Sequence, residues 1–263
     1  MANEKPATLR DCVYGQAVGD ALGVPYEFKL RGTFHCTDMV GNGSHNQPAG
    51  TWSDDTSMAL ATCDSIRETG RIDVADMRRR FERWYQTGAY TVDGLFDIGN
   101  CTVSALEQGR GQTGERDNGN GSIMRILPLA FTDATDDEVR AVSAITHAHP
   151  ISCKVCVRMV HVARRLIAGQ PVSAVTSGLA DVPEGEIRSG GFVKDTEKAA
   201  LWCLATTDSY ADCVLKAVNL GSDTDTTAAV AGGLAGIIYG VDAIPTGWMD
   251  TLRGKEVIEA CLF

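Results

Sequence analysis

LGSDTDTTAAVAGGLAGIIYG, at residues 220–240, is the stretch on which the reading of the fold turns. Asp223, Asp225 and their neighbouring hydroxyls are packed into its first few residues. A run of Ala, Gly, Val and Ile follows. A helix apolar on every side belongs in a core, and its small residues let neighbouring backbones come close. Two carboxylates carried into that core in the first turn need a cation or several donors, because an unpaired buried carboxylate is too costly to keep ionised. Lys216 precedes the turn and the next basic residue is Arg253, so a bound cation is the first expectation.

Working outward, residues 8–23 read as a helix on which Gly15, Gly19 and Gly23 recur every fourth position and share one face, a pattern for close helix packing. Asp20 sits among apolar neighbours in this helix. Pro25 ends it and Glu27 follows. Residues 29–51 are rich in Gly, Asn and Pro with weak periodicity, a loop of a length that is usually functional or disordered. It stops at Trp52, before Ser53-Asp54-Asp55-Thr56 and an amphipathic helix. Taken alone, SDDT reads as an N-cap with acidic first-turn residues. Helices are further predicted at 73–86, 101–108, 136–146, 152–168, 196–205 and 211–219, and one or two short ones between 246 and 263. Asp97 reads as a cap at the turn before 101–108. The polar, Gly-rich segment 109–120 leads through Gly119-Asn120-Gly121-Ser122 into the apolar run IMRILPLAF. A glycine-rich loop feeding a helix is a natural phosphate cradle, though no Lys-Ser or Lys-Thr pair makes it a Walker loop. His147 and His149 end the 136–146 helix and lack the Cys or carboxylate neighbours of a zinc site. Residues 171–193 have the weakest pattern. No alternating strands, repeats or linkers are evident, so the expectation is one all-α domain over 1–263, a multi-helix bundle.

The chain carries 24 basic and 34 acidic residues, a formal charge of −10. That makes it a poor general binder of nucleic acid. MANEKPATLR does not read as a secretory leader, and the apolar run at 228–241 is too short to span a bilayer. Nine scattered cysteines read as reduced thiols. A CxxC at Cys153 and Cys156 has no second pair and reads as core thiols. A cytoplasmic protein, expected to be a monomer, follows.

Ser53-Asp54-Asp55 and Asp223-Thr224-Asp225-Thr226 share one character: carboxylates beside hydroxyls at a helix start. Together they form an oxygen-only ligand set, which suits Mg²⁺ or Mn²⁺ better than Zn²⁺ or Cu²⁺. Four converging carboxylates would repel one another unless about two divalent ions neutralised them.

With those residues in view, GQAVGDALGVPYEF, TWSDDTSMAL, DIGNCTVSAL, GNGSIMRILPLAF, THAHP and AVNLGSDTDTTAAVAGGLAGIIYG, in that order, resemble the ADP-ribosylglycohydrolase family over nearly the whole chain. The resemblance implies an orthogonal all-α fold with a two-magnesium cleft, manganese replacing magnesium in some members. It implies Ser53, Asp54, Asp55, Asp223, Asp225 and Thr226 as metal ligands, and Glu27 and Asp97 as the carboxylates at the chemistry. It implies contacts to ADP-ribose from Asn100, Gly119, Asn120, Gly121, Ser122, Met124, His147 and Ser222. Ser53 stands where Thr is usual and Ser222 where Gly is usual. The implied activity is hydrolysis of ADP-ribosyl conjugates, with ADP-ribosyl-arginine as first expectation. An ADP-ribosyl-serine or poly(ADP-ribose) hydrolase, a phosphoesterase on the same site and a non-catalytic ADP-ribose binder stay open as alternatives.

Overall fold

A computed structural model describes residues 6–263. Twelve α-helices follow in order: α1 (Leu9–Gly23), α2 (Asp54–Thr69), α3 (Val74–Thr87), α4 (Asn100–Glu107), α5 (Asp136–Ser143), α6 (Pro150–Ile167), α7 (Val172–Val175), α8 (Val193–Ala205), α9 (Tyr210–Asn219), α10 (Thr224–Tyr239), α11 (Thr246–Thr251) and α12 (Lys255–Cys261). Among the described residues there is no strand, only three isolated bridges. The all-α expectation holds. No helix among them is long and apolar enough to cross a membrane.

The spine is the pair α1 and α10, from opposite ends of the chain. Their glycines explain the pairing. A Cβ on Gly15 would stand 2.3 Å from the Gly232 carbonyl oxygen, and one on Gly19 would stand 2.1 Å from that of Ala228. At Gly23 a Cβ would meet the Asp225 Cα at 2.3 Å. The two backbones touch along their length, so the spacing of four seen in the sequence is a packing device. Tyr210 Oη donates to the Gly15 carbonyl at 2.6 Å, and the Thr224 hydroxyl donates to that of Gly23 at 2.8 Å. The first ties α9 to the middle of α1, and the second brings the acidic start of α10 beside the end of α1. Helices α6, α8 and α9 pack on α10, while α2 joins α1 and carries α3 and α12 on its outer side.

One predicted element is different. IMRILPLAF forms two short 3₁₀ turns, Ile123–Arg125 and Leu127–Phe131, instead of an α-helix. Pro128 supplies no N–H for an i to i−4 bond, so the tighter turn is the available solution. The weakly patterned segment 171–193 holds only α7 and one 3₁₀ turn, Glu184–Glu186. All nine cysteines are free thiols, with Cys153 and Cys156 in the core.

Candidate metal centre and substrate cleft

Ser53 is the N-cap of α2, and its hydroxyl accepts from Asp55 N–H at 3.3 Å. The cap reading therefore holds for Ser53, yet it leaves Asp54 and Asp55 unexplained. Asp223 occupies the N-cap position of α10, but its side chain caps nothing. Its Oδ2 instead accepts from Asn120 Nδ2 at 2.9 Å. The turns meet directly: the Thr226 hydroxyl donates to Asp55 Oδ2 at 3.2 Å. Ser53, Asp54, Asp55, Asp225 and Thr226 are buried and Asp223 is partly buried.

Two sets of donors form there. Oxygens or nitrogens of Glu27, His45, Asp97 and Asp225 lie within 4.8 Å of one another, and so do those of Asp20, Asp55 and Asp225. Asp225 belongs to both. None of Asp54, Asp55, Asp223 and Asp225 is paired with a Lys or Arg among the described residues. Asp55 Oδ1, Asp223 Oδ1 and Asp225 Oδ2 are buried and have no hydrogen-bond partner among the described residues. Burial, followed by repulsion from the neighbouring carboxylates, pushes Asp54, Asp55 and Asp225 well above the usual carboxylate range. Orphaned, crowded carboxylate oxygens without a basic partner are a donor set that fits hard divalent cations.

Asp20 was visible in the sequence only as a stray charge. It sits fully buried and accepts from Ser53 N–H (2.9 Å), Thr56 N–H (3.0 Å) and the Thr56 hydroxyl (2.6 Å). From α1 it fixes the first turn of α2, which presents Asp54 and Asp55. Burial still raises it to about 6. Gln16, one turn earlier, donates to the carbonyls of Asp55 and Met124 at 3.2 and 2.8 Å, joining the acidic turn to the segment after the glycine-rich loop. His45 gave no signal in its loop, yet its Nε2 contacts Glu27 Oε2 and lies 3.9 Å from Asp97 Oδ1.

Glu27 follows the 3₁₀ turn Val24–Tyr26 and is buried. Burial raises it to about 7, with Asp97 and Asp223 adding to the rise and His45 opposing it. Asp97 stands at φ +55° and Phe28 at φ +64°, left-handed conformations that non-glycine residues seldom take outside special sites. Ser222, at φ +68°, shows why glycine suits that position. Its backbone clamps the Glu27 segment: Phe28 N–H donates to the Ser222 carbonyl at 2.7 Å and Ser222 N–H to that of Lys29 at 2.8 Å. The Ser222 side chain itself is exposed and does not line the cleft.

The cleft measures about 390 Å³. Glu27, Asp54, Asp97, Asp223 and Thr226 form its acidic side, and Asn100, Gly119, Asn120, Gly121, Met124 and His147 line the rest. Arg116 is the one Lys or Arg lining it among the described residues. The glycine-rich loop is less open than a bare phosphate cradle, because Asn120 N–H is spent on the Gly191 carbonyl at 3.0 Å. Ser122 turns its hydroxyl into the core, where it meets Cys156 Sγ at 3.3 Å and accepts from Ser143 at 3.1 Å.

Comparison with known proteins places the whole chain in one family and fold. The family model described as ADP-ribosylglycohydrolase matches residues 2–262. The ADP-ribosylarginine hydrolase Tri1 of Serratia proteamaculans is 36% identical, over 95% of this chain and 76% of that protein. The ADP-ribosyl-[dinitrogen reductase] glycohydrolase of Rhodospirillum rubrum is 33% identical, over 92% of this chain and 88% of that protein. A solved structure titled ADP-ribosylglycohydrolase-related protein complex superposes with a TM-score of 0.82 at 31% identity, covering 95% of this chain and 94% of that one.

Proposed function

The chain belongs to the ADP-ribosylglycohydrolase family, and we propose that it hydrolyses the N-glycosidic bond joining ADP-ribose to an arginine side chain of a modified protein. The observation that carries this reading is the meeting of two distant acidic turns over one cleft, with three buried carboxylate oxygens that no described protein group satisfies.

Ser53, Asp54, Asp55, Asp223, Asp225 and Thr226 would hold two Mg²⁺ or Mn²⁺ ions. Such ions supply Lewis acidity, an oriented template for ribose hydroxyls and relief of the carboxylate repulsion. Glu27 is the acid/base. A carboxyl raised to about 7 can give or take a proton at neutral pH, and Glu27 Oε2 is held by His45 at the cleft wall. Asp97 faces the same point and stabilises the positive charge that builds on the sugar ring as the glycosidic bond breaks. At the other end, Gly119–Gly121 and Arg116 receive the pyrophosphate. The acidic side of the cleft also suits a guanidinium leaving group. We read the protein as a cytoplasmic monomer, checked by light scattering and by fractionation.

The test is release of ADP-ribose from a defined panel of arginine-, serine- and poly-linked conjugates, with and without a chelator. The arginine conjugate should be cleaved, and cleavage should stop with chelator and return with magnesium. An uncut arginine conjugate beside a cut serine conjugate would move the assignment to the O-glycosidic bond. Release indifferent to chelator would remove the metal reading.

A further inference from the structure

Behind the glycine-rich wall of the cleft lies a polar chain that runs from Arg125 through the Thr146 hydroxyl to His147. Arg125, fully buried, has no carboxylate within ion-pair distance among the described residues. It donates from Nε to the Gly121 carbonyl (3.2 Å), from Nη1 to the Val142 carbonyl (3.1 Å) and from Nη2 to the Thr146 hydroxyl (2.8 Å), and its guanidinium lies over the Phe81 ring at 4.5 Å. A buried arginine charge without an acidic partner is expensive, and its neutral acceptors compensate it only in part.

Thr146 is fully buried and its Oγ1 has two neighbours, Arg125 Nη2 and, at 2.8 Å, His147 Nδ1. Guanidinium nitrogen can only donate. The hydroxyl therefore accepts from Arg125, and among the described residues its own proton has the imidazole nitrogen as its sole acceptor. Nδ1 is then the unprotonated nitrogen, and the ring proton sits on Nε2. No described protein group hydrogen-bonds Nε2, while His147 lines the cleft. The loop is shaped for this ring. A Cβ on Gly121 would stand 2.7 Å from His147 Cε1, and one on Gly119 would stand 3.3 Å from Nε2.

We propose that Arg125, acting through the Thr146 hydroxyl, holds His147 in the neutral Nε2–H tautomer and so presents a fixed N–H donor at the glycine-rich end of the cleft, for a phosphate or hydroxyl oxygen of ADP-ribose. The ligand half of this inference rests on the functional reading above; the tautomer half does not. Burial, and after it the Arg125 charge, lowers His147 to about 3, which agrees with a ring that stays neutral. Arg125 and Thr146 are thus positioning residues. They make the imidazole a donor with a set direction, whereas a free imidazole would exchange between two tautomers and act as acceptor part of the time.

The experiment compares the wild-type protein with Thr146→Val and Thr146→Ser by ¹⁵N-detected imidazole spectroscopy, with a His147→Asn spectrum to assign the signal. ADP-ribose calorimetry is run on the same magnesium-loaded samples. Wild type and Thr146→Ser should show a pyrrole-type Nε2 and a pyridine-type Nδ1. Thr146→Val should show averaged tautomers and bind ADP-ribose about two- to threefold more weakly, because only the fraction of rings carrying the Nε2 proton can donate. A protonated Nδ1 in the wild type would overturn the proposal, as would an unchanged tautomer and affinity in Thr146→Val. A wild-type protein with the Nε2–H tautomer but no ADP-ribose affinity would overturn the ligand half and the functional reading together, leaving the Arg125 relay standing.

Discussion

Thr226 donates its hydroxyl to Asp55 Oδ2 across 3.2 Å, joining two residues separated by 171 positions of chain. That bond sits at the point where the start of α2 meets the start of α10, and Asp225, beside it, is common to both groups of metal-type donors. Asp225→Ala should therefore damage the whole centre. Divalent-ion affinity measured by calorimetry should fall by more than roughly 100-fold, and ADP-ribose release should fall below detection. A variant that still turns over at micromolar magnesium would remove Asp225 from the centre.

The same crowding fixes the sign of a stability effect. Asp54, Asp55 and Asp225 have folded-state pKa values raised above their unfolded values. Such groups favour the fold when protonated, so their contribution is fully present below the unfolded pKa and is lost as pH rises through the folded one. The metal-free protein should thus lose stability on going from mildly acidic to neutral pH. Magnesium should raise its Tm, and more at pH 8 than at pH 5. Scanning calorimetry with and without chelator at both pH values checks this; an equal magnesium shift at the two would contradict it.

Asp20 touches the centre through what it holds. Its three accepted bonds orient Ser53 and Thr56 around the acidic turn. Asp20→Asn keeps one carbonyl acceptor but faces an N–H donor with an amide donor. Ion affinity should fall about 10- to 100-fold, the range for residues that orient metal ligands, while the helical signal in circular dichroism stays. Unchanged affinity would make Asp20 a helix cap and nothing more.

What the sequence disclosed and what it hid divide along physical lines. Glycines at 15, 19 and 23 and the small-residue run at 228–236 each announce a close helix contact in the sequence, but that the two stretches are each other's partner is seen only in the fold. The two acidic turns were legible because carboxylates beside an apolar run are expensive. His45 was not, since a loop has no periodicity and its imidazole meets Glu27 only through tertiary folding. Arg125 stood in plain view inside an apolar run, but its partners are main-chain carbonyls and a hydroxyl, which leave no charge pattern to read. Ser122 and Ser222 were implied by resemblance as ligand contacts, and only coordinates could separate a hydroxyl turned into the core from one exposed beside the cleft.

The spine itself can be tested. A Cβ on Gly19 would stand 2.1 Å from the Ala228 carbonyl oxygen and 2.7 Å from its carbon, both backbone atoms of a buried helix. Neither can swing aside as a flexible side chain would. Gly19→Ala should raise helix propensity slightly yet destabilise the protein by about 1–3 kcal/mol through overpacking, read as a lower denaturation midpoint. It should also weaken magnesium binding, because α1 carries Asp20 one residue later. A stabilised Gly19→Ala would mean that the two helices sit further apart than described.

Glu27 separates chemistry from binding. Its carboxyl is buried, contacts His45 and shares a cluster with Asp97 and Asp225. Glu27→Gln keeps the shape and a carbonyl acceptor but cannot exchange a proton. If Glu27 is the acid/base, kcat should fall about 100- to 10,000-fold, with ADP-ribose affinity within about threefold of wild type, since a general acid/base acts on the rate of the step and contributes little to ground-state binding. Should calorimetry instead show ADP-ribose affinity lost in step with kcat, Glu27 holds the ligand or the ions, and the proton transfer passes to Asp97, the other carboxylate that faces His45.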